Sequence, residues 1–163
     1  MSLVYFMIGV PGVGKSTYRE SNFSSSDYKI ISSDDVIERI ARHFNVSYNE
    51  AFKCADFAQY LIDIKLKKYI TTGHNVVWDQ TNISKKSRAK KLVLFPASYI
   101  KIALYFEAPP DIMTAKPYNR PGKIIPDTVV QNMIDHLEPP EKSEGFEEIR
   151  IIRRSQNSYK SKI

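Results

Sequence analysis

A glycine-rich segment near the start of the chain has the residue types and the spacing that bind phosphate groups. Residues 9–16 read Gly-Val-Pro-Gly-Val-Gly-Lys-Ser and fit the pattern G-x-x-x-x-G-K-[S/T]. Glycines in this pattern let backbone N–H groups turn toward phosphate oxygens, and the helix that follows adds partial positive charge. The pattern predicts that Lys15 reaches the β- and γ-phosphates of ATP and that Ser16 ligates Mg²⁺. The predicted ATP-binding residues of this segment are Gly9, Pro11, Gly12, Val13, Gly14, Lys15, Ser16 and Thr17.

Three carboxylates come directly after predicted strands. Asp34 and Asp35 follow an apolar strand at 28–31, and Asp79 follows another at 75–78. Open α/β sheets bind ligands at the carboxyl ends of their strands, so these side chains are expected near the phosphate site. A carboxylate there can accept the proton of an attacking hydroxyl. It can also support Mg²⁺, which makes Asp79 and Asp34 further candidate metal ligands beside Ser16. The alternatives are a helix N-terminus for Asp34 and Asp35, and an Asx turn for Asp79.

Two basic segments could act on phosphates. Arg120 lies with Lys123 in a Pro- and Gly-containing connection, which is typical of a mobile lid that closes over phosphates. We place this lid at about residues 115–127, and we predict that Arg120 contacts ATP and assists catalysis. A basic helix at 84–91 includes Arg88 and could follow a phosphate backbone, although a solvated helix face would look the same.

The elements that must position these residues alternate between strand and helix, which indicates an α/β fold with a mostly parallel sheet. The apolar patterns predict strands at 3–8, 28–31, 75–78, 99–106 and 149–152. They predict helices at 15–21, 33–44, 47–73, 84–95, 111–118 and 127–137. Ser33 and Ser84 are expected to cap two of these helices, and a capping box at 47–50 opens another. Residues 1–154 are expected to form one domain, and residues 155–163 a flexible tail.

The net charge, the cysteine count and the length of the apolar runs indicate which kind of partner and which compartment the protein has. The chain has 163 residues, with 24 Lys and Arg against 18 Asp and Glu, which gives a net charge of +6. Such a charge attracts polyanions, although proteins that bind no nucleic acid also carry it. The single cysteine, Cys54, excludes an internal disulfide and favours a reducing compartment. No apolar run reaches the ~18–20 residues of a membrane span. We therefore expect a cytoplasmic protein, in the host cytoplasm if a phage encodes it, with no membrane contact and no obligate protein partner.

Several motifs together resemble the kinase domain of polynucleotide 5′-hydroxyl kinases, the bacteriophage and animal nucleic-acid repair enzymes. The resemblance extends over about residues 3–153. It rests on the segment at 9–16 with Pro11, the pair Asp34-Asp35, Asp79-Gln-Thr-Asn82 with Ser87-Arg88-Ala89, Asn119-Arg120 to Ile125-Pro126, and Glu138-Pro-Pro140 leading to Glu144-Gly-Phe146.

The resemblance implies a P-loop kinase core with a five-stranded sheet in the order 2-3-1-4-5. It implies transfer of the γ-phosphate of ATP, with Mg²⁺, to the 5′-OH end of DNA or RNA. Asp34 would then be the general base, Lys15 and Ser16 would hold the triphosphate and Mg²⁺, and Arg120 would act on the transferred phosphoryl group. The predicted catalytic residues are Asp34, Lys15 and Arg120. The predicted substrate-binding residues are Asp34, Asp35, Asp79, Asn82 and Arg88.

The sequence departs from the polynucleotide kinase pattern at two points, so two properties of that family are not expected here. Ile37 stands where the phage enzyme has an arginine that contacts the substrate phosphate, and Arg39 or Arg42 could replace it. A phosphatase motif of the form D-x-D-G-T is absent from the sequence, so we expect a free-standing kinase module without 3′-phosphatase activity. Two alternative functions stay open. One is a kinase of a nucleoside, sugar acid or nucleotide-sugar, and the other is a nucleotide-gated binding module without transfer.

Overall fold

A parallel five-stranded β-sheet forms the centre of the computed structural model, which describes residues 1–23, 26–119 and 123–153. Its strands are β1 Ser2–Ile8, β2 Tyr28–Ser32, β3 Asn75–Asp79, β4 Tyr99–Phe106 and β5 Glu148–Ile152. They lie in the order β2-β3-β1-β4-β5, and every neighbouring pair is parallel. The predicted α/β fold and the strand order expected from the resemblance are therefore confirmed.

Seven helices in the described part of the chain connect and cover the strands. They are α1 Lys15–Asn22, α2 Ser33–Phe44, α3 Tyr48–Ala51, α4 Ala55–Thr71, α5 Lys85–Leu92, α6 Ile112–Ala115 and α7 Asp127–Asp135. Short 3₁₀ turns occupy Phe52–Cys54 and Lys142–Glu144. Among the residues that the structure describes, no helix is both long enough and apolar enough to span a bilayer.

The core is divided between the two faces of the sheet. Successive side chains of β1 point to opposite faces, so Val4, Phe6 and Ile8 pack on one side and Tyr5 and Met7 on the other. Helices α2, α3, α4 and α5 contribute apolar side chains to the first side, and α6 and α7 contribute to the second. Because both faces of the central strands are covered, the strands hold their carboxyl ends in fixed positions along one edge.

Three helix predictions differ from the structure in detail. The N-cap of α2 is Ser32 rather than Ser33, because the Ser32 side chain accepts from the Asp35 backbone N–H. The predicted helix at 111–118 is only Ile112–Ala115, since Lys116 takes a left-handed conformation, with φ 45°, just before Pro117. The long helix predicted from residue 47 is interrupted at Phe52–Cys54, which leaves Cys54 exposed although its spacing indicated a packed face. The predicted C-terminal tail, 155–163, lies outside the described residues.

Candidate active site

A cavity of about 890 Å³ opens at the carboxyl edge of the sheet, where β1, β2 and β3 end. Two loops that are distant in sequence meet here, because β1 lies beside β3 and β3 lies beside β2. The following residues from the sequence predictions line the cavity: Pro11, Gly12, Gly14, Lys15, Ser16, Thr17, Asp34, Asp35 and Asp79. The structure thus brings together the predicted phosphate segment and all three predicted carboxylates.

The phosphate-binding loop follows β1 and is held open by its glycines. Gly12 and Gly14 have φ values of 86° and 96°, and Gly14 is the N-cap of α1. A Cβ atom at Gly12 would lie 2.9 Å from the backbone nitrogen of Tyr118, so a side chain cannot fit there. The backbone N–H of Gly9 donates to the carbonyl of Thr81 at 2.9 Å, which connects the start of the loop to the segment that follows β3. The Val13 side chain is buried in the core, so only its backbone can face a ligand.

Lys15 bends back over this loop. Its ammonium donates to the carbonyls of Gly9 and Val10 at 2.8 and 2.9 Å. Burial lowers the pKa of Lys15 to about 8, while the carboxylates of Asp79 and Asp34 act in the opposite direction. Phosphate oxygens could replace these two carbonyls as acceptors and would stabilise the charged form. The arrangement fits a side chain that stays close to the loop until a polyanion arrives.

A salt-bridge network connects the carboxylates at the ends of β2 and β3. The guanidinium of Arg19 lies 3.0 Å from an Asp35 oxygen and 2.8 Å from an Asp79 oxygen. Burial raises the pKa of Asp79, and the neighbouring charges of Arg19 and Lys15 act against that shift. The salt bridge to Arg19 therefore fixes the position of the Asp79 carboxylate at the end of β3, in the wall of the cavity.

Asp34 lines the same cavity and contacts Lys123 of the predicted lid. One of its carboxylate oxygens accepts from the Tyr48 hydroxyl at 2.6 Å, and the other pairs with the ammonium of Lys123. The same ammonium lies 4.5 Å from the centre of the Tyr48 ring. Half of the Asp34 side chain is exposed, so its carboxylate is accessible from the cavity. Arg120, the other predicted lid residue, lies outside the described residues.

Asn82 and Arg88 do not line the cavity, in contrast to the other three predicted substrate-binding residues, Asp34, Asp35 and Asp79. The amide nitrogen of Asn82 donates to the carbonyl of Met7 at 2.8 Å, and only 2% of the residue is exposed. Arg88 is fully buried and forms a bidentate pair with Glu144 at 2.7 and 2.8 Å. It also donates to the carbonyls of Asn82, Ile83 and Glu138. Both side chains satisfy buried backbone groups and hold the structure together.

The cavity fits a nucleoside triphosphate with Mg²⁺. The loop supplies a cradle that only glycine permits, and Lys15 and Ser16 lie at its end. In the described residues, no group of three or more His, Cys, Asp or Glu side chains could hold a metal alone. Mg²⁺ needs few protein ligands when phosphates and waters complete its shell, so the Ser16 hydroxyl beside a triphosphate would suffice.

Two residues of the site were missed from sequence. Arg19 lies four residues after Lys15 and therefore on the same side of α1, which is the one signal that could have identified it. Its two acidic partners are 16 and 60 residues away in sequence, so no local pattern indicates them. Tyr48 was noted only as part of a capping box, and that role does not suggest a contact with Asp34.

The fold and the cavity define a P-loop kinase-like domain. Its marks are the sheet order, a phosphate-binding loop directly after β1, and a carboxylate at the end of β2 that faces the same cavity. The sequence profile of the AAA domain family matches residues 4–140, which is most of the chain. This chain belongs to that family.

Solved structures share the fold at low sequence identity. A chain of the Pnkp1/Rnl/Hen1 RNA repair complex has a TM-score of 0.63 at 18% identity, over 83% of this chain and 44% of that one. A chain of the PezAT chromosomal toxin-antitoxin system of Streptococcus pneumoniae gives 0.64 at 16% identity, over 94% and 67% of the two chains. A gluconokinase from Sinorhizobium meliloti 1021 gives 0.57 at 19% identity, over 95% and 83%. This chain therefore spans less than half of the RNA repair chain, and these likenesses show the fold.

Proposed function

We propose that this chain is a polynucleotide 5′-hydroxyl kinase, which transfers the γ-phosphate of ATP to the 5′-OH end of DNA or RNA in the presence of Mg²⁺. The observation that carries the proposal is the position of Asp34. Its carboxylate faces the same cavity as Lys15 and Ser16 but comes from the segment after β2, which β3 separates from β1, and half of it is open to an acceptor. A protein that only binds nucleotide has no use for a base at that place.

The chain's own residues would divide the work between donor and acceptor. Backbone N–H groups of the loop and the ammonium of Lys15 would hold the triphosphate, and Ser16 would ligate Mg²⁺, which neutralises charge on the phosphates. Asp34 would accept the proton of the acceptor hydroxyl, and Tyr48 would fix the orientation of its carboxylate by the hydrogen bond at 2.6 Å. Phosphoryl transfer needs positioning and charge stabilisation rather than covalent work by the protein, and this arrangement supplies both.

Features outside the loop support a polymeric acceptor. The cavity of about 890 Å³ is open, and the chain carries a net charge of +6. One structure with the same fold belongs to an RNA repair complex. The motifs that resemble the polynucleotide kinases extend over almost the whole chain.

A small-molecule kinase is the second candidate function. A gluconokinase and a sugar kinase share this fold over 95% and 94% of the chain. Lys123 at the acceptor side could pair with the carboxylate of a sugar acid as readily as with a phosphate. This candidate predicts that the acceptor is small and that oligonucleotides are ignored.

Labelled ATP offered with a panel of acceptors tests the proposal. The panel contains 5′-OH DNA, 5′-OH RNA, nucleosides, gluconate, neutral sugars and nucleotide-sugars, together with oligonucleotides that already carry a 5′-phosphate. We expect label on the 5′-OH oligonucleotides and none on the 5′-phosphorylated ones. Label on gluconate or another small acceptor alone would establish the second candidate instead.

A further inference from the structure

Four large apolar side chains are exposed in the turn after α3 and along helix α4. Phe52, Phe57, Tyr60 and Ile64, here called the aromatic stripe, are 54, 55, 59 and 50% exposed. The last three are spaced three and four residues apart and share one face of α4, while its buried residues are Ala58, Ile62 and Leu66. Isolated exposed apolar residues are ordinary, but a contiguous row of them marks an interaction surface.

The aromatic stripe begins inside the active-site cavity. Phe52 lines the cavity, and its ring lies 6.1 Å from that of Tyr48, at an angle of 34°. Tyr48 in turn binds Asp34 through its hydroxyl. Farther out, the rings of Phe57 and Tyr60 lie 6.5 Å apart and only 27° from parallel. The rings therefore form two pairs, Tyr48 with Phe52 next to the proposed base and Phe57 with Tyr60 on the exposed face of α4.

Four basic side chains lie on or near α4, close to the aromatic stripe in sequence or in space. Lys53 and Lys68 are exposed and lie four residues before Phe57 and four residues after Ile64. Between α2 and α4, Arg39 and Lys65 line a cleft of about 280 Å³ that shares Asp35 with the active-site cavity. Within the described residues, none of these four cations forms an ion pair.

Two acidic residues of α4 flank the aromatic stripe on one side, since Asp56 lies four residues before Tyr60 and Asp63 three residues after it. Asp56 and Asp63 are seven residues apart and flank Gln59, whose side-chain amide donates to Asp63 at 2.8 Å. The stripe thus has apolar rings along its length, a lysine at each end, and two carboxylates on one side. The rings and the basic ends suit a ligand that has flat apolar faces and a negatively charged backbone that follows the side away from the carboxylates.

We propose that the aromatic stripe stacks the bases of a single-stranded nucleic acid whose 5′ end lies in the active-site cavity. The proposal rests on the proposed function and adds that the preferred acceptor is single-stranded and several nucleotides long. Phe52 would contact the nucleotides nearest the cavity, and Phe57 and Tyr60 those farther along, since α4 advances ~1.5 Å per residue. Base pairs in a duplex hide the faces that such rings contact, so a duplex end gains nothing from the stripe.

The test compares acceptors of two lengths on the variant Phe57→Ala/Tyr60→Ala. Both side chains are exposed and lie outside the cavity lining, so the variant should fold, and its thermal unfolding curve verifies this. For a single strand of about ten nucleotides we expect KM and Kd to rise about 10- to 100-fold, because stacking contributes that factor per base. For a 5′-OH dinucleotide, and for a blunt duplex, we expect the KM to change less than about threefold, since neither reaches Phe57 and Tyr60 with unpaired bases.

Two further variants sharpen the comparison. Phe44→Ala removes an equally exposed aromatic ring, 66% exposed, that lies ten residues from Asp34 and outside the cavity lining, and it should leave every KM unchanged. Phe57→Tyr/Tyr60→Phe keeps both rings and should bind the long strand like the wild type.

The outcomes separate this inference from the proposed function. A wild type that phosphorylates no 5′-OH acceptor overturns the proposed function, while fluorescence anisotropy of a labelled single strand still tests the stripe. Equal effects of Phe57→Ala/Tyr60→Ala on the long strand and the dinucleotide overturn the stripe alone. A wild type that sediments as a dimer and becomes monomeric in this variant also overturns it, because a second copy of the chain would then cover the surface.

Discussion

Asp34 has a neighbour on each carboxylate oxygen, and the two neighbours come from different parts of the chain. Tyr48 precedes the turn into α4, whereas Lys123 follows the predicted lid residue Arg120. These two contacts orient the Asp34 carboxylate, while half of its side chain stays exposed. An acceptor hydroxyl that approaches on the Lys123 side would find both a base and a cation for the phosphoryl group.

Asp34→Asn separates this role from nucleotide binding. Asparagine keeps the size of the side chain and suits the first turn of α2, but it does not accept a proton as a carboxylate does. We expect phosphorylation of a 5′-OH oligonucleotide to fall by about 10²–10⁴-fold, with ATP affinity nearly unchanged. Initial rates and an ATP titration on both proteins measure these quantities.

Asp135→Asn is the matched control, since Asp135 is exposed on α7 and does not line the cavity. It should have the wild-type rate. If Asp34→Asn also has the wild-type rate, Asp35 or Asp79 must be the base. If the variant loses ATP affinity together with the rate, the carboxylate organises Mg²⁺ instead.

The burial of Lys15 predicts how ATP affinity depends on pH. In the free protein the pKa of Lys15 is about 8, and phosphates beside the ammonium should raise it in the complex. Binding then takes up a proton above pH 8, so ATP affinity should fall as pH rises from about 8, by at most about tenfold per pH unit. Isothermal titration in two buffers of different ionisation enthalpy measures the proton uptake directly.

Lys15→Ala provides the reference for this pH dependence. The variant should bind ATP weakly, with a flat profile in this range, and its transfer rate should fall by about 10²–10³ or more because an electrostatic contact to the phosphates is lost. Two results would contradict the predicted contact of Lys15 with the phosphates of ATP. One is a wild-type ATP affinity that stays constant between about pH 7 and pH 10. The other is a transfer rate of Lys15→Ala within about tenfold of the wild-type rate.

At the scale of elements, α5 and the segment before β5 are held together by one buried ion pair. Arg88 on α5 is fully buried, and the side chain of its partner Glu144 is only 10% exposed. The guanidinium of Arg88 also donates hydrogen bonds to two backbone carbonyls in the loop after β3. Two residues after Glu144, the ring of Phe146 packs against that of Phe6 in the sheet. The residues that end the resemblance, Glu144-Gly-Phe146, therefore anchor the loop that follows Asp79 and β3.

Replacement of Arg88 should reduce stability rather than remove a substrate contact. Arg88→Met leaves the Glu144 carboxylate without its partner in a nearly buried place, and breaking such a pair costs about 3–5 kcal/mol. We expect the free energy of unfolding to fall by that amount, measured by urea denaturation, while the KM for the oligonucleotide stays near the wild-type value below the transition.

Arg150→Met is the control, because its pair with Glu148 is 44 and 48% exposed and should contribute no more than ~1 kcal/mol. A normal stability of Arg88→Met combined with a large rise in KM would restore Arg88 as a substrate-binding residue.

At the scale of the whole molecule, the net charge of +6 predicts binding that weakens with salt. Each phosphate neutralised on a single strand contributes about −0.7 to the slope of log affinity against log salt. The basic helix α5 is a poor candidate for these contacts, since Lys85 pairs with Glu141, Arg88 is buried, and Lys91 donates to Asn82. The cations beside the cavity, Arg39 and Lys65, are better placed.

Two double variants measure these contributions. We expect Arg39→Ala/Lys65→Ala to reduce the magnitude of the salt slope by about 1.4, because two cations are removed. Lys86→Ala/Lys90→Ala removes two exposed lysines of α5 and should leave the slope unchanged. A slope near zero for the wild type would favour a small acceptor, and the reverse ranking of the two variants would place the strand along α5.

The sequence by itself determined the phosphate-binding loop and the strands that lead to it. Glycines at fixed spacing, a continuous apolar run before them and carboxylates at strand ends are local signals, and the edge of a parallel sheet gathers whatever follows its strands. The capping box at Ser47–Glu50 and the cap at Ser84 were predicted for the same reason, since each involves residues three positions apart.

Only the tertiary structure decided which polar side chains face the cavity and which satisfy the interior. Arg19, Arg88 and Asn82 look alike in sequence, as polar residues beside a motif, but their partners are up to 60, 56 and 75 residues away. The desolvation of each group, and hence its role, depends on which distant carbonyl or carboxylate lies next to it. Hydrophobic period carries no information about such pairings, because it reports which face of an element is buried and not what that face meets.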